Sequence, residues 1–235
     1  MENNIIPEKY FKGVFITAAS AIQQKLKHIK AFVFDWDGVF NDGRKDIHGN
    51  SGFSEIDSMG INMMRFSHYL LHKELAVSII LTGEHNKLAI SFAQRENFHS
   101  VFCKTLNKKL ALSYLCEQHN ITPDEVLFVF DDVLDFSVAE LAGLRFMIGR
   151  PVNSLLTEFA TDKRLVDYIT KQDGNSHAVR EITELVMALE NNFDQAIENR
   201  MHFSDAYREY LQLRKKVSTQ FFITKEDKII QDIDL

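Results

Sequence analysis

A single stretch, Ala31 to Gly43, reading AFVFDWDGVFNDG, constrains this chain more than any other. Ala31-Phe32-Val33-Phe34 has the length and bulk of a buried strand. Asp35 follows at once and Asp37 two residues later, so extended backbone sets both carboxylates on one side of the chain. Acids at the carboxyl end of a buried strand are costly unless a cation or a reaction uses them. Two other readings compete at this point. A calcium loop would want an oxygen ligand where Val39 stands and a helix before it. An acidic turn capping a helix needs neither.

Three further apolar runs end in polar groups. Val77–Leu81 runs into Thr82-Gly83, and Ser100–Phe102 precedes Asn107-Lys108. Val126–Phe130 runs into Asp131-Asp132 with Asp135 beyond. Parallel strands of an open α/β sheet present their carboxyl ends to one crevice, where ligands bind. The order Asp, Asp, Thr, Lys, Asp, Asp resembles the four motifs of the haloacid dehalogenase (HAD) superfamily of phosphohydrolases. Within it, DWDGVFNDG, FSEIDSMGI at 53–61, LTG at 81–83, NK at 107–108, DDVLDFSV at 131–138 and AVREITELV at 178–186 are similar to the 3-deoxy-manno-octulosonate 8-phosphate phosphatase family. The likeness spans about residues 29 to 190.

That resemblance implies a Rossmann-like, mostly parallel sheet flanked by helices, and a reaction. Asp35 would be the nucleophile and Asp37 the general acid and base. Thr82 and Lys108 would hold the phosphoryl group. Asp35, Asp37 (through its carbonyl) and Asp131 would hold Mg2+, with Asp135 or Asp132 on its waters. Gly83, Glu84, Asp57 and Arg180 are the candidate substrate-binding residues, Arg180 from a neighbouring chain. The family further implies a homotetramer, with an early β-hairpin packed between subunits and a carboxyl-terminal segment reaching a neighbour's site. The substrate would be a small phosphorylated sugar or sugar acid.

Four positions depart from the family. Glu84 stands where Arg usually follows Thr-Gly, Ile56 where Arg usually precedes Asp57, and Phe130 where Gly usually precedes the Asp pair. The glycine-rich loop before Ala178 is reduced to Gly174-Asn175-Ser176-His177. Glu84 and Ile56 lower the expected affinity for a sugar-acid carboxylate, because bidentate guanidinium recognition is lost and a like charge is gained. Phe130 and these altered specificity positions also motivate an alternative, an oligomeric binding or assembly module on the same fold. A response-regulator-like phosphoacceptor is a third reading, which Asp37 and DWDG count against.

Spacing supplies the rest of the layout. Ile22, Leu26 and Ile29 predict a helix over about 15–29, after an irregular start over 1–13. Gly49-Asn50-Ser51-Gly52 predicts the turn of a hairpin within 44–57. Met59, Met63, Phe66 and Leu70 predict a helix. These elements leave no room for a large cap domain, so the crevice is expected to be open. The expected division is a lead-in at 1–28, a phosphatase domain at 29–190 and a helical extension and tail at 191–235, where Phe203, Tyr207, Tyr210 and Leu211 make a stripe.

Charge and composition exclude other classes. A net charge of −6 with no basic run argues against a nucleic-acid partner. No apolar run nears the roughly 20 residues of a membrane span. Two cysteines, Cys103 and Cys116, fit buried inert thiols and a reducing, cytoplasmic setting. The nine histidines show no His-Glu-x-x-His motif, which argues against zinc.

Overall fold

The computed structural model describes residues 7–232. Its strands, in chain order, are β1 (Val14–Phe15), β2 (Ala31–Phe34), β3 (Val77–Leu81), β4 (Ser100–Cys103), β5 (Val126–Phe130), β6 (Leu144–Met147), β7 (Tyr168–Ile169), β8 (Gln220–Lys225) and β9 (Lys228–Gln231). The helices are α1 (Pro7–Tyr10), α2 (Ala19–Leu26), α3 (Glu55–His72), α4 (Lys87–Arg95), α5 (Lys108–His119), α6 (Phe136–Ala139), α7 (Ser154–Asp162), α8 (Ala178–Leu189), α9 (Phe193–Met201) and α10 (Asp205–Lys215). Among the described residues the strands form one sheet, ordered β1-β7-β6-β5-β2-β3-β4-β8-β9. It is parallel from β7 to β8, with β1 and β9 antiparallel at the edges.

Strand β2 lies at the centre because it can be buried on both faces. Phe32 and Phe34 pack under α2, α3, α4 and α8. Ala31 and Val33 face the opposite layer, built from α5, α6 and α7. Alternation along the strand produces that division. Register then sets the site: Phe34 pairs with Ile80 of β3 and Val129 of β5, so the three strands end level. The Asp35 amide continues the ladder to the Val129 carbonyl at 2.9 Å.

The structure departs from expectation at four places. No strand pairing occurs within 44–53; the segment is a tight turn in which the Asp46 carboxylate accepts the His48 and Asn50 amides, both at 2.8 Å. An Asx turn of this kind consumes the backbone donors that a hairpin ladder needs. The helix expected from residue 15 begins at Ala19, since Val14 and Phe15 instead pair with β7. The carboxyl-terminal segment is helical only in part: β8 joins β4 in parallel and β9 folds back on it. Of the start read as irregular, residues 1–6 lie outside the described residues, and Pro7–Tyr10 forms α1. The Met63 and Tyr207–Tyr210 stripes are core, meeting in a cluster between α3, α9 and α10.

Candidate active site

Six expected residues meet at the carboxyl end of the sheet. Asp35, Asp37, Thr82, Lys108, Asp131 and Asp135 all line one crevice, together with Gly83, Glu84 and Asp132. Loops after β2, β3 and β5 and the first turn of α5 supply them. No cap domain covers them among the described residues, since the β2–α3 connection is loop and only α5 lies between β4 and β5.

Lys108 is the electrostatic centre. It opens α5 and is buried, and its Nζ lies 2.7 Å from Asp35 and 2.5 Å from Asp135. Burial works against its charge, but Asp35 and Asp135 more than reverse that and hold the ammonium well above the usual lysine value. Asn107 occupies the cap position of α5 without a side-chain cap hydrogen bond. The carboxylates still exceed their partners: burial first, and then the Asp35 charge, pushes both Asp131 and Asp135 above the usual carboxylate range. One oxygen from each of Asp35, Asp131 and Asp135 lies within 4.8 Å of the other two. Three hard oxygen donors in a negatively biased pocket fit Mg2+. The Asp37 carboxylate stands outside this trio.

Asp37 is held separately. Its carboxylate lies 2.5 Å from Lys45 Nζ and accepts a hydrogen bond from the Ser51 hydroxyl. Ser51 is itself fixed, accepting from Trp36 Nε1 at 3.1 Å and from Asn86 Nδ2 at 2.7 Å. Trp36, between the two acids, turns into the core and stacks on Phe40. The chain turns away at Gly38, where φ is +87° and a Cβ would strike the Asp131 carboxylate and the Arg150 guanidinium. Glycine is needed there twice over. Behind the loop, Gly174 approaches so closely that a Cβ would lie 2.0 Å from the Asn41 carbonyl oxygen. The 174–177 loop thus still packs against the turn that follows Asp35 and Asp37.

Thr82 is buried, and its Oγ1 accepts the Glu84 amide at 3.3 Å. Glu84 is exposed at the crevice mouth. Phe130 does not reach the crevice: it is buried in the layer beneath, parallel to Phe128 with ring centroids 5.4 Å apart.

Two expected substrate contacts lie elsewhere. Asp57 is buried at the start of α3, accepts the Arg180 amide at 2.9 Å and lies 3.4 Å from His177 Nδ1. Burial raises its carboxyl pKa despite those contacts. Its work in this chain is to join α3 to the first turn of α8. The Arg180 side chain pairs with Glu184 on its own helix at 2.6 Å. Ile56 is half-exposed on the first turn of α3 and also outside the crevice lining. Conversely, Lys45 and Arg150 belong to the crevice and were missed in the sequence. Arg150 Nη2 lies 2.6 Å from Asp131. Neither cation sits in a motif, and only the fold brings them to the acids.

No protein-family model matches the chain. The 3-deoxy-D-manno-octulosonate 8-phosphate phosphatase of Escherichia coli (strain B / BL21-DE3) is 30% identical over 180 residues, covering 74% of this chain and 88% of that protein. The Haemophilus influenzae counterpart is 25% identical over 171 residues, covering 71% and 87%. Among solved structures, the Moraxella catarrhalis 3-deoxy-D-manno-octulosonate 8-phosphate phosphatase, in complex with magnesium ion, phosphate ion and KDO, superposes with a TM-score of 0.64. It is 26% identical, over 77% of this chain and 98% of that one. A putative HAD superfamily (subfamily III A) hydrolase from Legionella pneumophila shares the fold, with a TM-score of 0.63 at 24% identity, over 77% of this chain and 93% of that one.

Proposed function

The chain belongs to the 3-deoxy-D-manno-octulosonate 8-phosphate phosphatase family of HAD-type phosphomonoester hydrolases, and from that premise we propose that it hydrolyses a small phosphorylated sugar or sugar acid through an aspartyl-phosphate. The observation that carries this reading is the convergence of Asp35, Asp37, Thr82, Lys108, Asp131 and Asp135 on one crevice, with Lys108 bridging two of the acids.

The steps follow from the side chains. An Asp35 oxygen attacks phosphorus, the bond from phosphorus to the sugar oxygen breaks, and Asp37 gives its proton to the leaving alkoxide. Asp37 then takes a proton from the water that attacks the aspartyl-phosphate, which frees inorganic phosphate and restores Asp35. Lys108 and the Thr82 hydroxyl hold phosphoryl oxygens. Ser51 and Lys45 keep Asp37 facing the crevice. Asp35, Asp131 and Asp135, with the Asp37 carbonyl, would hold Mg2+, which supplies charge neutralisation to the phosphoryl group.

Substrate preference turns on the mouth. Glu84 faces an incoming sugar carboxylate with a like charge, while Lys45 and Arg150 are both engaged by crevice acids. We therefore expect a neutral phosphosugar to be turned over better than 3-deoxy-D-manno-octulosonate 8-phosphate. A magnesium-supplemented panel of both, with a generic aryl phosphate, tests this. Turnover of none would favour the assembly-module alternative, against which the core position of Phe130 already counts.

The open crevice also supports a homo-oligomer, most simply a tetramer. Ile47 is 95% exposed on the 44–53 loop, and Ile56 and Met59 are exposed nearby in sequence on α3. Light scattering at micromolar concentration should find an assembly, and a monomer would contradict it. Two unpaired buried cysteines support a cytoplasmic setting; among the described residues, no helix is long and apolar enough to cross a membrane.

A further inference from the structure

A second set of ligand-type side chains lies between the carboxyl-terminal ends of α3 and α8, on residues that the crevice does not use. His68 and His72 stand four apart on α3, which puts them on one face, and their rings stack with centroids 4.2 Å apart. Glu190 caps the end of α8. One ligand atom from each lies within 4.8 Å of the other two. Tetrahedral ligands about 2.1 Å from an ion lie about 3.4 Å from one another, so side-chain rotation closes the set.

A separate observation points to a missing partner. His68 is 4% exposed, and its Nδ1 is buried without a hydrogen-bond partner. An unsatisfied buried nitrogen of this kind calls for an ion or a water.

The surroundings are those of a supported ligand set. Ser67 donates to Glu190 Oε2 at 2.8 Å, and Asn192 Nδ2 donates to the Ser67 hydroxyl and carbonyl oxygens at 3.2 and 3.1 Å. Such outer hydrogen bonds orient a metal-binding carboxylate. A pocket of about 340 Å³ opens His72 and Glu190 to solvent, which leaves room for a water as a further ligand. Lys27 lines the pocket, but its Nζ donates to Gln24 at 2.9 Å. Both helices end here, and their carboxyl-terminal dipoles favour a cation.

We propose that His68, His72 and Glu190 form a second metal site, for a borderline divalent ion of the zinc class, that staples α3 to α8. Two imidazoles and one carboxylate suit zinc and disfavour magnesium, which takes oxygen ligands, so the chain sorts two kinds of ion between two sites. The staple complements the amino-terminal join, where Asp57 accepts the Arg180 amide. It also bears on the catalytic strand, since the His68 ring meets Phe32 of β2 edge-on, three residues before Asp35. The sequence reading against zinc asked for Glu after the first histidine; His68 and His72 share that motif's i, i+4 spacing but have Tyr69 in the Glu position, so the pair was passed over.

The test is a Zn2+ titration by calorimetry of the Mg2+-saturated protein, alongside thermal unfolding with Zn2+. Wild type should bind one more Zn2+ than His72→Ala, and its unfolding midpoint should rise with Zn2+ but not with added Mg2+. His72 is exposed, so its alanine variant should fold. Glu190→Gln keeps the shape of the side chain but removes the anionic ligand, and should weaken that Zn2+ by at least the roughly 10–100-fold that loss of a ligand's supporting hydrogen bond costs. Equal Zn2+ stoichiometry and affinity in wild type, His72→Ala and Glu190→Gln would overturn the proposal.

Discussion

Two sets of buried carboxylates, at opposite ends of the sheet, behave in opposite ways. Asp167 precedes β7 at the amino ends of the strands and is 0% exposed. Asp131 and Asp135 follow β5 at the carboxyl ends and are 3% and 1% exposed. Asp167 is surrounded by donors: Arg145 Nε at 2.8 Å, Lys25 Nζ at 3.2 Å, the Thr17 hydroxyl at 2.6 Å and the Arg145 amide at 3.0 Å. Burial alone would raise its pKa, yet those partners bring it below the usual value. At Asp131 and Asp135, burial and neighbouring acids outweigh Lys108 and Arg150, and the shift is upward. Burial of a carboxylate therefore does not separate the two sets. The balance between donors and neighbouring acids around it does.

The contrast can be broken in order of effect. Asp135→Asn should lower phosphate release by about 10³-fold or more, while unfolding in Mg2+-free buffer shows equal or greater stability, because repulsion with Asp35 is relieved. Asp167→Asn should do the reverse: activity is retained at low temperature, but stability falls by about 3–5 kcal/mol, the usual cost of breaking a buried ion pair. For a chain of this length that lowers the melting temperature by about 10 °C. If Asp135→Asn proved the more unstable of the two, the distinction would fail.

Acid unfolding sharpens it. A depressed folded-state pKa contributes stability that is complete above the unfolded value of about 3.9 and is lost as pH falls through the folded one. Asp167 should therefore steepen the loss of stability below about pH 4, and Asp167→Asn should flatten it. The raised pKa values of Asp131 and Asp135 act oppositely, so without Mg2+ they should erode stability as pH rises above about 4. Urea titrations across pH measure both slopes. The smallest effect concerns Glu84: Glu84→Arg should lower KM for a sugar-acid phosphate about tenfold relative to a neutral phosphosugar, the worth of one partly exposed charge-assisted hydrogen bond. Ile56→Arg should not add to this within one chain, since Ile56 lies outside the crevice lining.

What was legible in the sequence follows the same physics. Strands β2 and β5 are continuous apolar runs and β3 is broken only by Ser78, because all three are buried on both faces, and an acid or hydroxyl at the end of such a run stands out. Asp35, Thr82 and Asp131 were readable for that reason. Lys45 and Arg150 were not, because a lone cation in a polar loop carries no pattern until the fold brings it to an acid. Strand β8 left a signal: Phe221-Phe222-Ile223 and Ile229-Ile230 flank Glu226-Asp227, both at positive φ as a tight hairpin turn requires. The run of charges around that turn disguised it as a tail. The 44–57 hairpin erred the other way, since its turn residues were real but Asp46 spent the backbone donors.

The central claim is that the donor-poor acids at the end of β2 and β5 work as a nucleophile and its Mg2+ site. Phosphate release by wild type and Asp35→Asn, each with and without Mg2+, tests it most directly, with thermal unfolding run alongside. The expected result is Mg2+-dependent release by wild type alone, with Asp35→Asn at least about 10³-fold slower and equally well folded. Release by Asp35→Asn at the wild-type rate would contradict it.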